Sequence, residues 1–231
     1  MSFIAKNVFA ASTMQATYFL DLNKNSYTRA VLPADYSKEL LTPLHMRIHN
    51  AQRDTHSAVI DQRLFKIGIL TNQADQANAT PCIGRSIPRI DLPRRNLPPL
   101  SRRESIVSAL IAFRCTSRAS VISTLPIRQI ESSLLGDLRV DEHHGYGENL
   151  TNAARVVNIH ARVRKWHWTS RSCLKDSISL YLFLRRYGIK PQIVFGVRDE
   201  PVGAHCWVEL DGYSLSDEGE TLQNFSPIYS F

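Results

Sequence analysis

Residues 169–217 read TSRSCLKDSISLYLFLRRYGIKPQIVFGVRDEPVGAHCWVELDGYSLSD. From Cys173 onward, Leu174, Ile178, Tyr181, Leu182 and Leu184 recur at helical spacing. The run stops at Gly188, a natural left-handed cap, with Pro191 just beyond. The period then changes. Gln192–Val197 is rich in β-formers, Ala204–Leu210 alternates, and Asp211-Gly212 is a strong hairpin turn into Tyr213–Ser216. A helix followed by an antiparallel sheet predicts an α+β domain.

The same stretch carries the candidate chemistry. Thr169-Ser170-Arg171-Ser172 supplies cap residues, which predicts Cys173 in the first turn of its helix. Unpaired amides and the positive end of the helix dipole favour a thiolate there, and the thiolate is the reactive form. His205, Trp207 and Glu209 share one face of the predicted strand, while Ala204, Cys206 and Val208 share the other. A strand can present an imidazole to a helix N-terminus, which activates a cysteine nucleophile. With a two-residue turn at Asp211-Gly212, Leu210 pairs with Tyr213 and Asp217 falls near Cys206 or His205. A carboxylate there fixes the histidine tautomer and stabilises the imidazolium. Taken singly, each residue has a plain explanation: a buried thiol, a half-buried histidine, a turn aspartate. Their order and their expected elements together predict a cysteine protease.

Working outward, the segment from Thr80 to Arg103 contains Pro81, Pro88, Pro93, Pro98 and Pro99, an extended linker because proline lacks the donor that helices and ladders need. This divides the chain into residues 1–80, a linker at 81–103, and residues 104–231. Ile4–Ala11, Gln15–Asp21 and Ser26–Val31 read as an antiparallel sheet with a turn at Asn23-Lys24-Asn25. Residues 35–50 and 57–70 place apolar groups such as Val59, Ile60, Leu64 and Ile67 at helical spacing. Three strands and about three helices predict a winged-helix-like module. Past Glu104, Ile106, Leu110 and Phe113 form one helical stripe; Val156, Ile159 and Val163 form another after a break at Gly145-Tyr146-Gly147.

The 231 residues fit one large domain or two small ones. With no run of about 18 apolar residues, no membrane span is expected, and the N-terminal apolar stretch, broken by Asn7, Ser12, Thr13 and Gln15, makes a poor signal peptide. A cytoplasmic protein is expected. Cys82, Cys115, Cys173 and Cys206 lack the close pairing of a disulfide framework or a zinc site, so one cysteine is free for chemistry and the others are structural. His45 and His49 share a helix face without an evident third ligand, and His143-His144 reads as a loop. The net charge of +7 fits nucleic acid, a membrane surface or an acidic peptide. A basic winged-helix DNA-binding protein is the rival from another class, but Ser57–Leu70 carries only Arg63 and Lys66 for phosphates.

The C-terminal sequence resembles the lasso-peptide leader peptidases, the B proteins of lasso-peptide maturation. The likeness lies in Cys173-Leu174, Leu184–Ile189, Val194–Arg198, Ala204–Glu209 and Asp217, over roughly residues 150–231. Tyr18–Asn23 and Ser26-Tyr27 are similar, more loosely, to strands of the fused leader-recognition domain of that family. The sequence departs from the family pattern at Cys206, where alanine is frequent, and at Ser216, where asparagine is common. Cys206 is expected to point away from His205 and to pack. The resemblance implies a transglutaminase-like, papain-related fold with Cys173 as nucleophile, His205 as base and Asp217 as its orienting group. It implies a precursor peptide whose leader docks along Ser26, Tyr27, Thr28, Arg29, Ala30 and Val31 and against Leu64 and Ile67. Lys24, Arg29 and Lys66 would meet acidic leader side chains. A separate lasso cyclase would use ATP to close the macrolactam, with no metal or organic cofactor in this chain. Membrane and nucleic acid are not expected partners. A transglutaminase-like acyltransferase is the alternative enzyme.

Overall fold

The structure, a computed structural model, describes residues 2–42, 55–78, 80, 102–136, 150–168, 170–217 and 219–231. Pro81–Pro99, Cys82, His45, His49, His143, His144, Gly145–Gly147 and Thr169 lie outside the described residues. The chain forms two compact units: Met1–Arg85 with Gly196–Gly203 and Ser226–Tyr229, and Ser86–Phe195 with Ala204–Phe225 and Ser230–Phe231.

In the first unit, β1 (Phe3–Ile4) pairs antiparallel with β5 (Leu70–Thr71). Strands β2 (Val8–Ser12), β3 (Thr17–Asp21) and β4 (Ser26–Ala30) form an antiparallel sheet in that order. The expected strand Ile4–Ala11 is therefore two strands, because Ile4 pairs with Leu70 while Val8 pairs with Asp21. The β3–β4 turn is held by Asp21, whose Oδ1 accepts from the amides of Asn23 and Lys24 at 2.9 and 3.1 Å. Helix α1 (Ala34–Leu41) follows Pro33, whose fixed φ suits a helix start. Helix α2 (Thr55–Lys66) brings Leu64 into a core with Ile4, Val8, Ala10, Phe19, Tyr36, Leu40, Ile69 and Leu70. Buried Asp61 on α2 accepts from Ser2 Oγ at 2.5 Å and from the Tyr36 hydroxyl, tying the N-terminus and α1 to α2. A short 3-10 turn at Ala74–Gln76 follows β5.

The second unit begins with α3 (Arg102–Ile122), α4 (Ile127–Gly136) and α5 (Leu150–Arg164). Helix α6 (Cys173–Arg186) packs against α3 and α5. The α3 stripe expected at Ile106, Leu110 and Phe113 is corrected: Ile106 and Leu110 are exposed, and the buried positions are Ser108, Ala112, Cys115, Thr116, Ala119 and Ile122, most of them small. Small side chains at that spacing let α6 approach closely, and period alone does not show which face does so. Thr116 Oγ1 meets Ser179 Oγ at 2.8 Å, and His160 Nε2 meets the same oxygen at 2.7 Å. One buried polar network thus pins three helices. Residues 103–122 of α3 include an 18-residue window of mean hydropathy 1.3, long and apolar enough to cross a membrane by length and composition alone, with a third of that window buried.

After α6, Gly188 adopts φ +74° and Ile189 N–H donates to Leu184 O at 3.2 Å, closing the helix. Strands β6 (Gln192–Arg198), β7 (Gly203–Leu210), β8 (Tyr213–Ser214) and β9 (Ser226–Ser230) form one sheet in the order β8-β7-β6-β9. Helix α7 (Gly219–Leu222) precedes β9. Asp211 and Gly212 both take positive φ, 50° and 80°, the turn that lets Leu210 face Tyr213. Val194, Trp207, Leu222 and Phe225 cluster in this unit's core.

Candidate active site

The nucleophile candidate is placed by a helix start. Ser172 is the N-cap of α6, its Oγ accepting from the Lys175 amide at 3.3 Å, and Cys173 is the first helical residue. The Asp176 carboxylate fixes the approach to this turn. It accepts from buried Arg164 Nε at 2.6 Å and from Arg171 Nε at 3.4 Å, while Arg164 also donates to Ser170 O at 3.2 Å. The last turn of α5 and the first turn of α6 are thereby linked beside an exposed Cys173.

His205 sits near the start of β7, half-buried, with Nε2 at 3.1 Å from Asp217 Oδ1. Its ring lies 5.4 Å from Phe225 and 6.1 Å from Trp207. His205 also hydrogen-bonds Cys173. With Nε2 engaged by Asp217, the nitrogen facing the sulfur is Nδ1. Asp217 lies just beyond β8, in a bend rather than on the expected strand. The bend is closed by Ser214 Oγ donating to Asp217 O at 3.1 Å, and Ser216 Oγ donates to the second carboxylate oxygen, Oδ2, at 2.6 Å. Ser216 in turn accepts from the Val208 amide at 3.1 Å, so the carboxylate is anchored to β7.

The electrostatics follow from these contacts. Hydrogen bonds from the Cys206 thiol and from His205 outweigh burial and hold the Cys173 thiol down at about 4, against an ordinary 9.0. Burial alone would lower His205, but its bonds to Asp217 and Cys173 prevail and raise it to about 9. Between those values the pair is a thiolate beside an imidazolium. Such a sulfur can attack a carbonyl, and the imidazolium holds a proton for the leaving group.

Cys206 has the packing role expected of it. It is buried, 3% exposed, and does pack, with its thiol at 3.7 Å from Ser177 Oγ. That thiol also reaches Cys173. Glu209 and Trp207 share a face as expected, with Trp207 Nε1 donating to Glu209 Oε1 at 2.6 Å. Trp166 and Trp168 are 89% and 76% exposed, Trp168 stacking on His167 with centroids 4.7 Å apart. Among the described residues no group of three or more His, Cys, Asp or Glu is arranged to hold a metal ion.

The candidate leader residues are dispersed. Ser26, Tyr27, Thr28, Arg29 and Ala30 form β4, the outer strand of its sheet, and Val31 follows it, exposed. Leu64 is 5% exposed inside the core, and Ile67, 45% exposed, lies just past α2. Lys24 Nζ is already engaged by Asp21 at 3.3 Å and by Ile67 O at 2.5 Å. Sequence reasoning missed the parts of Asp176, Ser177, Ser216 and Phe225. Ser177 lies one turn after Cys173 and Ser216 adjoins Asp217, so both were detectable by spacing; Phe225 carries no local signal.

A fold with a helix-tip cysteine and a strand histidine backed by a carboxylate defines a class. The family model of the transglutaminase-like superfamily matches residues 109–230, more than half of the chain, and the chain belongs to that superfamily. The match spans Cys173, His205 and Asp217 and is consistent with a cysteine-protease-like enzyme or acyltransferase. No curated protein and no solved structure matches the chain.

Proposed function

We propose that the chain is a cysteine protease that removes the leader from a lasso-peptide precursor, with Cys173, His205 and Asp217 as its catalytic residues. The observation that carries this reading is one imidazole bonded to the helix-tip sulfur on one side and to Asp217 on the other. The substrate class is supported by the resemblance of Leu184–Ile189, Val194–Arg198 and Ala204–Glu209 to the leader peptidases.

In the first step the Cys173 thiolate attacks the carbonyl at the leader–core junction. The oxyanion is stabilised by the Cys173 amide and the positive end of α6. The C–N bond then breaks and the His205 imidazolium gives its proton to the departing core amine, leaving a thioester on the leader. Neutral His205 next takes a proton from water, which attacks the thioester; the leader leaves as a carboxylic acid and the sulfur returns as thiolate. Asp217 keeps the ring turned toward the sulfur throughout.

The first unit serves this reading as a winged-helix-like leader-recognition module. As the last strand of its sheet, β4 offers a ladder edge to which an extended leader adds, with Tyr27 and Arg29 on its exposed positions. The freed amine passes to a partner lasso cyclase, and ATP belongs to that partner's step. The test is incubation of the chain with precursor and cyclase, alongside Cys173→Ala. Leader release by the wild type and none by the variant is the expected outcome. Release that survives the substitution removes the mechanism, and an amine-linked product in place of free leader assigns the site to acyl transfer.

A further inference from the structure

The site holds a second sulfur that the cleavage chemistry does not use. Cys173 and Ser177 stand one turn apart on α6 and so share a face. Ser177 Oγ donates to Cys206 O at 3.0 Å and receives the Cys206 thiol at 3.7 Å, which fastens β7 above the first turns of α6. From that position the Cys206 thiol comes within reach of the Cys173 sulfur, and each shifts the other's ionisation. One sulfur is exposed and the other buried. An exposed thiolate with a neighbouring thiol is the arrangement of a sensor cysteine and its resolving partner.

We propose that Cys173 and Cys206 form a modification site for hydroperoxides, closing to a Cys173–Cys206 disulfide that silences the nucleophile until a dithiol reductant reopens it. The Cys173 sulfur attacks one peroxide oxygen; the S–O bond forms as the O–O bond breaks. The departing hydroxide takes the His205 imidazolium proton and leaves as water, so sulfur is oxidised to sulfenic acid and peroxide is reduced. Cys206 then attacks that sulfur. The S–S bond forms, the S–O bond breaks, and the Cys206 proton leaves with the hydroxyl as a second water. A dithiol returns two electrons and two protons.

The order of these steps is built into the contacts. While Cys173 is a thiolate, its hydrogen bond to Cys206, with burial and charge added, keeps the Cys206 thiol well above its ordinary value. Oxidation of Cys173 to a neutral sulfenic acid removes the part of that hold that comes from the thiolate, while burial stays, so Cys206 ionises more readily once its target exists. The buried thiol is otherwise shielded from solvent oxidants.

The pair rests on Cys173 being a reactive thiolate and on nothing about the peptide it cuts, so each reading can fail alone. The test treats the full chain with hydrogen peroxide, then maps its cysteines by alkylation and mass spectrometry without reductant. In the wild type, a linked Cys173–Cys206 peptide pair lighter by two hydrogens is expected, with alkylation of Cys173 lost and then restored by a dithiol. In Cys206→Ala and Cys206→Ser, the second keeping the side-chain size, Cys173 is expected to pass to sulfinic acid that the dithiol does not rescue. Wild-type Cys173 that over-oxidises like the variants, or links to another cysteine instead of Cys206, overturns the proposal.

Discussion

Asp217 is the residue on which the ionic state of the pair turns. Its carboxylate faces His205 Nε2 at 3.1 Å and is itself held by Ser216 at 2.6 Å. Replacing it by asparagine keeps the volume and removes the charge that favours the imidazolium. The His205 value is then expected to fall from about 9 and that of Cys173 to rise from about 4. Peptide cleavage is expected to drop about 10²–10⁴-fold, the range for losing general acid–base function and its orienting group. Cleavage rates of Asp217→Asn against the wild type check this, and rates within a few-fold of each other contradict it.

At the scale of elements, the α5–α6 junction depends on Arg164 and Asp176. Arg164 is buried, and removal of its carboxylate partner takes away the close charge at 2.6 Å that answers the guanidinium. Asp176→Ala is expected to destabilise the fold by about 3 kcal/mol, read as a lower denaturant midpoint with an unchanged slope; an unaltered midpoint counts against the junction. This pairing was not legible in the sequence, because twelve positions separate the partners and neither breaks a local pattern. The α6 start was legible, since Ser172 is a cap residue and Gly188 a stop. So was the β7–β8 register, which Asp211-Gly212 dictates through its turn geometry. The buried face of α3 was misread for a physical reason: apolar residues at helical period mark a face only when packing rewards size. Here close approach selects Ser108, Ala112, Thr116 and Ala119, and leaves Ile106 and Leu110 in solvent. Alternation likewise assigned Cys206 a packing role, but could not show that its thiol also reaches the helix tip.

For the molecule as a whole, the Thr116–Ser179–His160 network sets part of the acid limit. Burial lowers His160 to about 4 from an ordinary 6.5, so between those values the unfolded chain binds more protons than the folded one. Stability is therefore expected to fall as pH drops from 6.5 toward 4, by about 3 kcal/mol at most. Cys173 tilts stability the same way, and the difference between wild type and His160→Gln isolates the histidine; identical slopes contradict the assignment. The fold's central product is the meeting of α6, β7 and the bend after β8 at one ion pair. The most direct measurement of it is the rate of Cys173 alkylation by iodoacetamide as a function of pH. A rate that rises near pH 4 and stays high to about 9 is the expected result. A single rise centred near the ordinary thiol value of 9.0 would show that no thiolate–imidazolium pair exists.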